Sequence, residues 1–292
     1  MKKALLALKI AVSVILVVLL TRRVSFAEVG THLLHVRMLP ALAALLLFGV
    51  SLALMGWRWH VVAGGRISLP ACLRFTWIAQ LYGMILPGAL SADVAKGVVM
   101  TSQRESNCAA TLSASIVLDR VAGLGSMLVF GLLSCLARPG LLPLPSSMLV
   151  GLAVLGAFGL VVLPWILRRV LPRFAIAPGT WLLVLLLSVL VHAMNTTFYS
   201  VALVAVGGEE SWWDMGIYTC LLNFALILPV SIAGIGLREQ VALMLFQASG
   251  NAAVQVAFAW LVLLLNVIHA LAGLALQWMP RATVLGEAKS AG

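Results

Sequence analysis

The chain has 292 residues, of which 63% are hydrophobic and only 10% are charged. A soluble domain needs about a quarter of its residues charged, so this composition excludes one and predicts an all-α, polytopic membrane protein. The formal net charge is +10. The basic residues stand one to three at a time at the ends of apolar runs, which is typical of membrane-flanking anchors and argues against a nucleic-acid-binding surface.

Apolar runs close to the ~20 residues that cross a bilayer predict about six spanning helices. We expect them near 4–21, 40–62, 108–136, 147–167, 179–206 and 254–279. The first run resembles a secretory signal, but Arg22 and Arg23 lie between it and the candidate cleavage site, so we expect a retained helix. The segment 24–39 has mixed polarity and is either a helix along the membrane interface or an ordinary loop.

Two further apolar segments, 70–100 and 215–250, are interrupted at their centres. In each, a Leu-Pro step is followed by small residues and by a basic residue nine positions after the proline. Proline removes a backbone donor and glycine admits unusual turns, so we predict two re-entrant helical hairpins. The residues at the breaks are Pro87, Gly88, Pro229, Gly234 and Gly236.

Charge asymmetry predicts the topology, since cytoplasmic loops are enriched in Lys and Arg. With a cytoplasmic N-terminus, the loops assigned to the inside carry Arg58, Arg66, Arg74, Lys96, Arg104, Arg168, Arg169, Arg173, Arg281 and Lys289. The acidic loop with Glu209, Glu210 and Asp214 falls outside, and so do the exceptions Arg22, Arg23 and Arg37.

This topology predicts one transmembrane domain over 1–292 that is built as an inverted repeat. The first repeat covers about 1–136, the second about 147–279, and 280–292 form a short polar tail at the cytoplasmic C-terminus. Each repeat runs helix, helix, hairpin, helix, but the two start from opposite faces. Such an arrangement brings two broken helices together near the bilayer midplane, where transport sites lie.

Ionised side chains deep in the membrane are functional candidates, because burying one costs about 2.5–3.5 kcal/mol. The candidates are Asp93, Lys96, Asp119, Arg120, Arg238 and Glu239. One hypothesis is that the three basic residues bind an anionic headgroup and that the three acids balance the charge of the empty site. The helix N-termini after each break would add partial positive charge and free amide donors toward a phosphate. The alternative is that Asp119 and Arg120 pair with hairpin charges and only hold the fold together.

Other polar and aromatic residues receive structural interpretations. Six polar side chains inside apolar helices either line a cavity or form interhelical hydrogen bonds; they are His192, Asn195, Asn223, Gln255, Asn266 and His269. Five tryptophans at predicted helix ends are expected to lie at the membrane interface; they are Trp57, Trp59, Trp212, Trp213 and Trp278. The four cysteines are scattered and are expected to be buried thiols.

The motifs of common enzymes are missing from the sequence. It contains no nucleotide-binding glycine loop, no metal-ligand spacing, and no Ser or Cys nucleophile with a nearby base. We therefore expect a protein that is not an enzyme and that uses no cofactor or metal.

At its break motifs the chain resembles the flippase-like transmembrane family that also forms the membrane half of lysylphosphatidylglycerol synthases. The residues that carry the resemblance are Leu86-Pro87-Gly88 with Asp93 and Lys96, Asp119-Arg120 with Gly123, and Pro229 through Gly234, Gly236, Arg238 and Glu239. Ser91 and Ala92 stand where the family usually has two glycines, and Lys96 stands where arginine is common. Lysine offers a point charge in place of a planar fork, so headgroup selectivity is expected to differ.

The resemblance implies a lipid-translocating domain with two re-entrant hairpins and without a soluble aminoacyltransferase domain. We expect a flippase of the bacterial inner membrane that moves an anionic phospholipid or a polyprenyl-phosphate-type lipid between leaflets. Its expected partners are that lipid and a lipid synthase or glycosyltransferase, with no nucleic acid. Two rivals remain open: a non-transporting accessory subunit of such an enzyme, and a membrane lipid transferase.

Overall fold

The computed structural model describes residues 24–85, 109–141, 144–170, 176–227, 234–246 and 251–279. These ranges contain nine helices and no strand. The helices are α1 (Phe26–Leu34), α2 (Met38–Val62), α3 (Leu69–Ile85), α4 (Ala109–Ala137), α5 (Ser146–Val170), α6 (Pro178–Ala205), α7 (Trp212–Ile227), α8 (Leu237–Leu245) and α9 (Ala252–Trp278). The predicted helix 4–21 and the residues Pro87, Gly88, Asp93, Lys96 and Pro229 lie outside the described ranges.

Five of the helices, α2, α4, α5, α6 and α9, are long and apolar enough to cross a membrane. They coincide within three residues with the five predicted spanning segments that fall in the described ranges. The prediction of an all-helical, polytopic membrane protein is therefore confirmed. The segment 24–39 contains the helix α1, so of the two interpretations offered for it the loop is wrong.

The structure describes α3 as far as Ile85 and α7 as far as Ile227, and the two Leu-Pro steps that follow lie outside the described residues. After the second break, Gly234 and Gly236 adopt φ of 75° and 82°, a left-handed conformation that favours glycine. Helix α8 begins immediately afterwards. The re-entrant path and the inverted repeat themselves stay predictions.

Helices α2 and α6 form the most extensive helix pair, and α9 packs along α3 and α1. Small residues allow close approach, as is usual where helices associate in lipid. A Cβ built on Gly273 of α9 would collide with the Trp77 carbonyl oxygen of α3. Between α6, α7 and α9 lies a fully buried aromatic core that contains Phe198, Tyr218 and Phe258.

Two residues assigned to the membrane surface prove to be buried. Arg58 was placed among the cytoplasmic loop charges, but it lies within α2 with 4% of its surface exposed. Trp59 is 1% exposed, and its indole donates a hydrogen bond to Ser115 Oγ at 3.2 Å, so it is not an interfacial anchor. Trp57, Trp213 and Trp278 are exposed as expected.

Candidate functional site

A buried ion pair joins α2 to α4. Arg58 Nε donates to Asp119 Oδ1 at 2.7 Å, and Arg58 Nη2 donates to Asp119 Oδ2 at 3.1 Å. Both side chains are almost inaccessible, at 5% and 12% exposure. This is the two-pronged geometry in which arginine and carboxylate bind most strongly. Asp119 is therefore paired with Arg58 of helix α2, a partner that the sequence analysis did not propose.

Polar groups of α4 and α6 extend this ion pair. Arg58 Nη1 donates to Ser188 Oγ at 3.2 Å. The imidazole of His192 places Nε2 3.1 Å from the carbonyl oxygen of Gly123 and 3.1 Å from Ser126 Oγ. A Cβ on Gly123 would lie 3.0 Å from Arg58 Nη2, so the absence of a side chain there gives the guanidinium room. We call these residues the Arg58 cluster.

Arg120 follows Asp119 directly in the sequence, but α4 turns it toward a less buried position. It takes part in polar or electrostatic interactions within the protein. The prediction that Arg120 contacts a headgroup stays a prediction. Arg58 was missed as a candidate, although its position inside the predicted helix 40–62 was a usable signal of an intramembrane charge.

A second polar cluster surrounds the beginning of α8. Arg238 and Glu239 are 7% and 2% exposed, and both fall in the first turn of that helix. Tyr218 of α7, which packs against α8, lies edge-on against Tyr199 of α6 with ring centroids 5.3 Å apart, and both rings are buried. Trp260 of α9 and Glu239 line a common cavity. We call this group the α8 cluster.

The α8 cluster contains buried polar atoms that lack hydrogen-bond partners. These atoms are Arg238 Nε, Glu239 Oε2, Gln240 Nε2 and the Tyr218 hydroxyl. In folded proteins nearly all buried polar atoms are hydrogen-bonded, because an unsatisfied one costs about 1–3 kcal/mol. Three of these atoms belong to consecutive residues of α8, and the fourth belongs to α7, which packs against α8.

The two clusters lie along the same helix, α6. Ser188 belongs to the Arg58 cluster and Tyr199 to the α8 cluster, and eleven residues of helix correspond to about 16 Å of rise. Their spacing also places both side chains on nearly the same face of α6. Of the predicted site residues within the described ranges, the structure brings Arg238 and Glu239 together and places Asp119 in the separate Arg58 cluster.

Most of the other intramembrane polar side chains form hydrogen bonds between elements, which was one of the two interpretations offered for them. Asn195 accepts from Ser51 at 2.9 Å, and Asn266 accepts from Gln80 at 2.9 Å. Gln255 donates to the Phe246 carbonyl at 2.6 Å. Asn223 instead bonds within its own helix. These contacts join helices, and the described residues contain no cluster of potential metal ligands.

The fold and its two buried polar clusters define a helical integral membrane protein with polar groups inside the bilayer-spanning region. The family described as the lysylphosphatidylglycerol synthase TM region matches residues 6–273, and the chain belongs to this family. Its membership supports an integral membrane protein with a lipid-related function. No curated protein matches the chain.

Proposed function

We propose that this protein is a lipid flippase or transporter that moves an anionic phospholipid, or a polyprenyl-phosphate-type lipid, between membrane leaflets without catalysing a reaction. The observation that carries the proposal is the α8 cluster, whose buried polar atoms lack partners within an otherwise apolar helical bundle. A headgroup brought into the bundle would supply those partners, and the hydrogen bonds that it gains would offset the hydration that it loses.

Arg238 and Glu239 contribute opposite charges to the proposed headgroup site. Arginine suits phosphate, because its planar fork donates two parallel hydrogen bonds. We further propose that Asp93, Lys96 and Arg120 complete the site. Asp119 acts indirectly in this scheme, by pairing with Arg58 and so fixing the position of α4, which carries Arg120.

The spacing of the helices supports the proposed inverted repeat. The prolines of the two Leu-Pro steps, Pro87 and Pro229, are 142 residues apart. The same shift moves Met38–Val62 onto 180–204 and Ala109–Ala137 onto 251–279, within two residues of helices α6 and α9. An inverted repeat of this kind permits alternating access when one half rocks against the other. We place the protein in a bacterial inner membrane with cytoplasmic termini, beside a lipid synthase or glycosyltransferase partner.

The test is a headgroup-accessibility assay with the purified protein in liposomes. A fluorescent phosphatidylglycerol is reconstituted, and a membrane-impermeant quencher reports its transfer between leaflets. We expect Arg238→Ala, Asp93→Ala and Arg120→Ala each to slow transfer at least tenfold relative to the wild type. Equal transfer rates in the wild type, the three variants and protein-free liposomes would contradict the proposal and would favour an accessory subunit that does not transport lipid.

A further inference from the structure

We infer that a groove beside Glu239 takes one hydrocarbon chain of a lipid directly from the bilayer, while a hydroxyl or ammonium group of the same headgroup donates a hydrogen bond to Glu239 Oε2. This inference rests on the proposed function and extends it. It assigns a site for the tail and requires the headgroup to carry a hydrogen-bond donor as well as an anion.

The groove has a volume of about 430 Å³ and lies between α1, α9 and the turn before α8. This volume is within the ~300–1,000 Å³ typical of sites that bind small molecules. Trp260, Leu263 and Val267 line its inner wall from one face of α9. Apart from Glu239, every side chain of the lining is hydrophobic, so the groove suits a hydrocarbon chain.

The rim of the groove is accessible from the lipid side of the protein. Phe26 of α1, Ile235 of the turn and Leu264 of α9 stand at the rim, with 41%, 37% and 56% of their surfaces exposed. Since α9 is a spanning helix, its exposed face meets acyl chains. A lipid chain can therefore enter sideways without leaving the apolar phase, and no hydrophobic surface has to pass through water.

Glu239 supplies the polar end of the groove. It is 2% exposed and lines the cavity, and its Oε2 has no hydrogen-bond partner. An ionised carboxylate oxygen can only accept hydrogen bonds. The complementary ligand is a donor, such as the hydroxyl of a glycerol or sugar headgroup or the ammonium of an aminated one. The adjacent Arg238 provides the opposite charge for the phosphate of the same lipid.

Photo-crosslinking tests the tail site. The probe is phosphatidylglycerol with a diazirine at the end of one acyl chain, added to the full chain in detergent micelles and competed with unlabelled phosphatidylglycerol. Val267→Trp fills the inner wall, whereas Leu274→Trp places the same tryptophan side chain one heptad later on α9, where residue 274 is exposed and lies outside the groove. We expect Val267→Trp to reduce competable labelling at least fivefold and Leu274→Trp to leave it unchanged.

Size-exclusion chromatography shows whether the Val267→Trp variant is misfolded, because a misfolded protein would no longer elute as a single peak. A second pair of variants then tests the tail site in its place. Leu264→Trp narrows the rim, and Leu271→Trp is its control one heptad away, with the same 56% exposure. The tail site would be overturned if excess unlabelled phosphatidylglycerol did not reduce the labelling. It would also be overturned if a variant and its control were labelled equally. Slow transfer by Arg238→Ala in liposomes would in that case still support the proposed function.

Competition by a second lipid tests the headgroup requirement. Phosphatidylmethanol carries the same phosphate charge as phosphatidylglycerol but has no headgroup hydrogen-bond donor. We expect it to compete at least tenfold more weakly in the wild type, and we expect Glu239→Gln to reduce that difference to less than threefold. Equal competition by the two lipids in the wild type would overturn the role of Glu239 while leaving the tail site intact.

Discussion

Replacing Asp119 by alanine should strongly destabilise the protein. The substitution removes two hydrogen bonds of 2.7 and 3.1 Å from Arg58 and leaves a guanidinium whose side chain is only 5% exposed. Removing one partner of a buried ion pair costs about 3–5 kcal/mol, because the remaining charge stays uncompensated. The Ser188 hydroxyl, at 3.2 Å from Arg58 Nη1, is neutral and cannot balance that charge.

The double variant Arg58→Met/Asp119→Leu separates the loss of the ion pair from the cost of leaving the Arg58 charge buried without a partner. It removes both charges and fills similar space, so we expect it to be less destabilised than Asp119→Ala. The free energy of unfolding can be measured in mixed SDS and detergent micelles by tryptophan fluorescence. Leu128→Ala, on the exposed face of the same helix, is the control. A cost for Asp119→Ala within about 0.5 kcal/mol of that control would refute the uncompensated-charge argument.

Two further predictions concern residues that hold helix α4. Gly123→Ala should lower the melting temperature, because the new Cβ would lie 3.0 Å from Arg58 Nη2 and push the guanidinium away from Asp119. Gly151→Ala is the control, since a Cβ there would have no atom within 4 Å, and it should leave the melting temperature unchanged or slightly higher. Equal changes in melting temperature for the two variants would contradict the crowding of Arg58. Asp214 accepts a hydrogen bond of 2.7 Å from Arg138 and raises the pKa of that guanidinium. A raised pKa means that the charged guanidinium stabilises the fold at every pH below its pKa in the unfolded chain, and this stabilisation is lost only in strongly alkaline solution. Arg138→Ala should therefore lower the melting temperature equally at about pH 6 and about pH 8. A lower melting temperature at only one of these pH values would contradict the pairing of Arg138 with Asp214.

The helices were predictable from the sequence because each apolar run satisfies its backbone hydrogen bonds within itself. Runs of about 20 apolar residues therefore located the spanning helices within three residues in the described ranges. The turn before α8 was predictable for a similarly local reason, since Gly234 and Gly236 admit the positive φ that both adopt.

The partners of the charged residues were not predictable in the same way. Asp119 pairs with a residue 61 positions earlier in the chain, and no local pattern specifies such a contact because it depends on how α2 and α4 pack. Arg58 is evident as a charged residue in the sequence, but its assignment to a cytoplasmic loop did not predict a buried ion pair with Asp119. The groove likewise forms only when Phe26 of α1 meets Trp260 of α9, whose ring centroids are 5.8 Å apart.

The most direct test of the α8 cluster as a lipid site is to measure stability and lipid transfer together for Tyr218→Phe. The Tyr218 hydroxyl is buried without a hydrogen-bond partner, so removing it should leave the free energy of unfolding unchanged or higher. If the hydroxyl serves a headgroup, transfer of fluorescent phosphatidylglycerol in liposomes should slow at least threefold. Tyr82→Phe, which removes a hydroxyl paired with Gln277 at 3.1 Å, should transfer lipid at the wild-type rate. Wild-type transfer by a stable Tyr218→Phe variant would contradict the account.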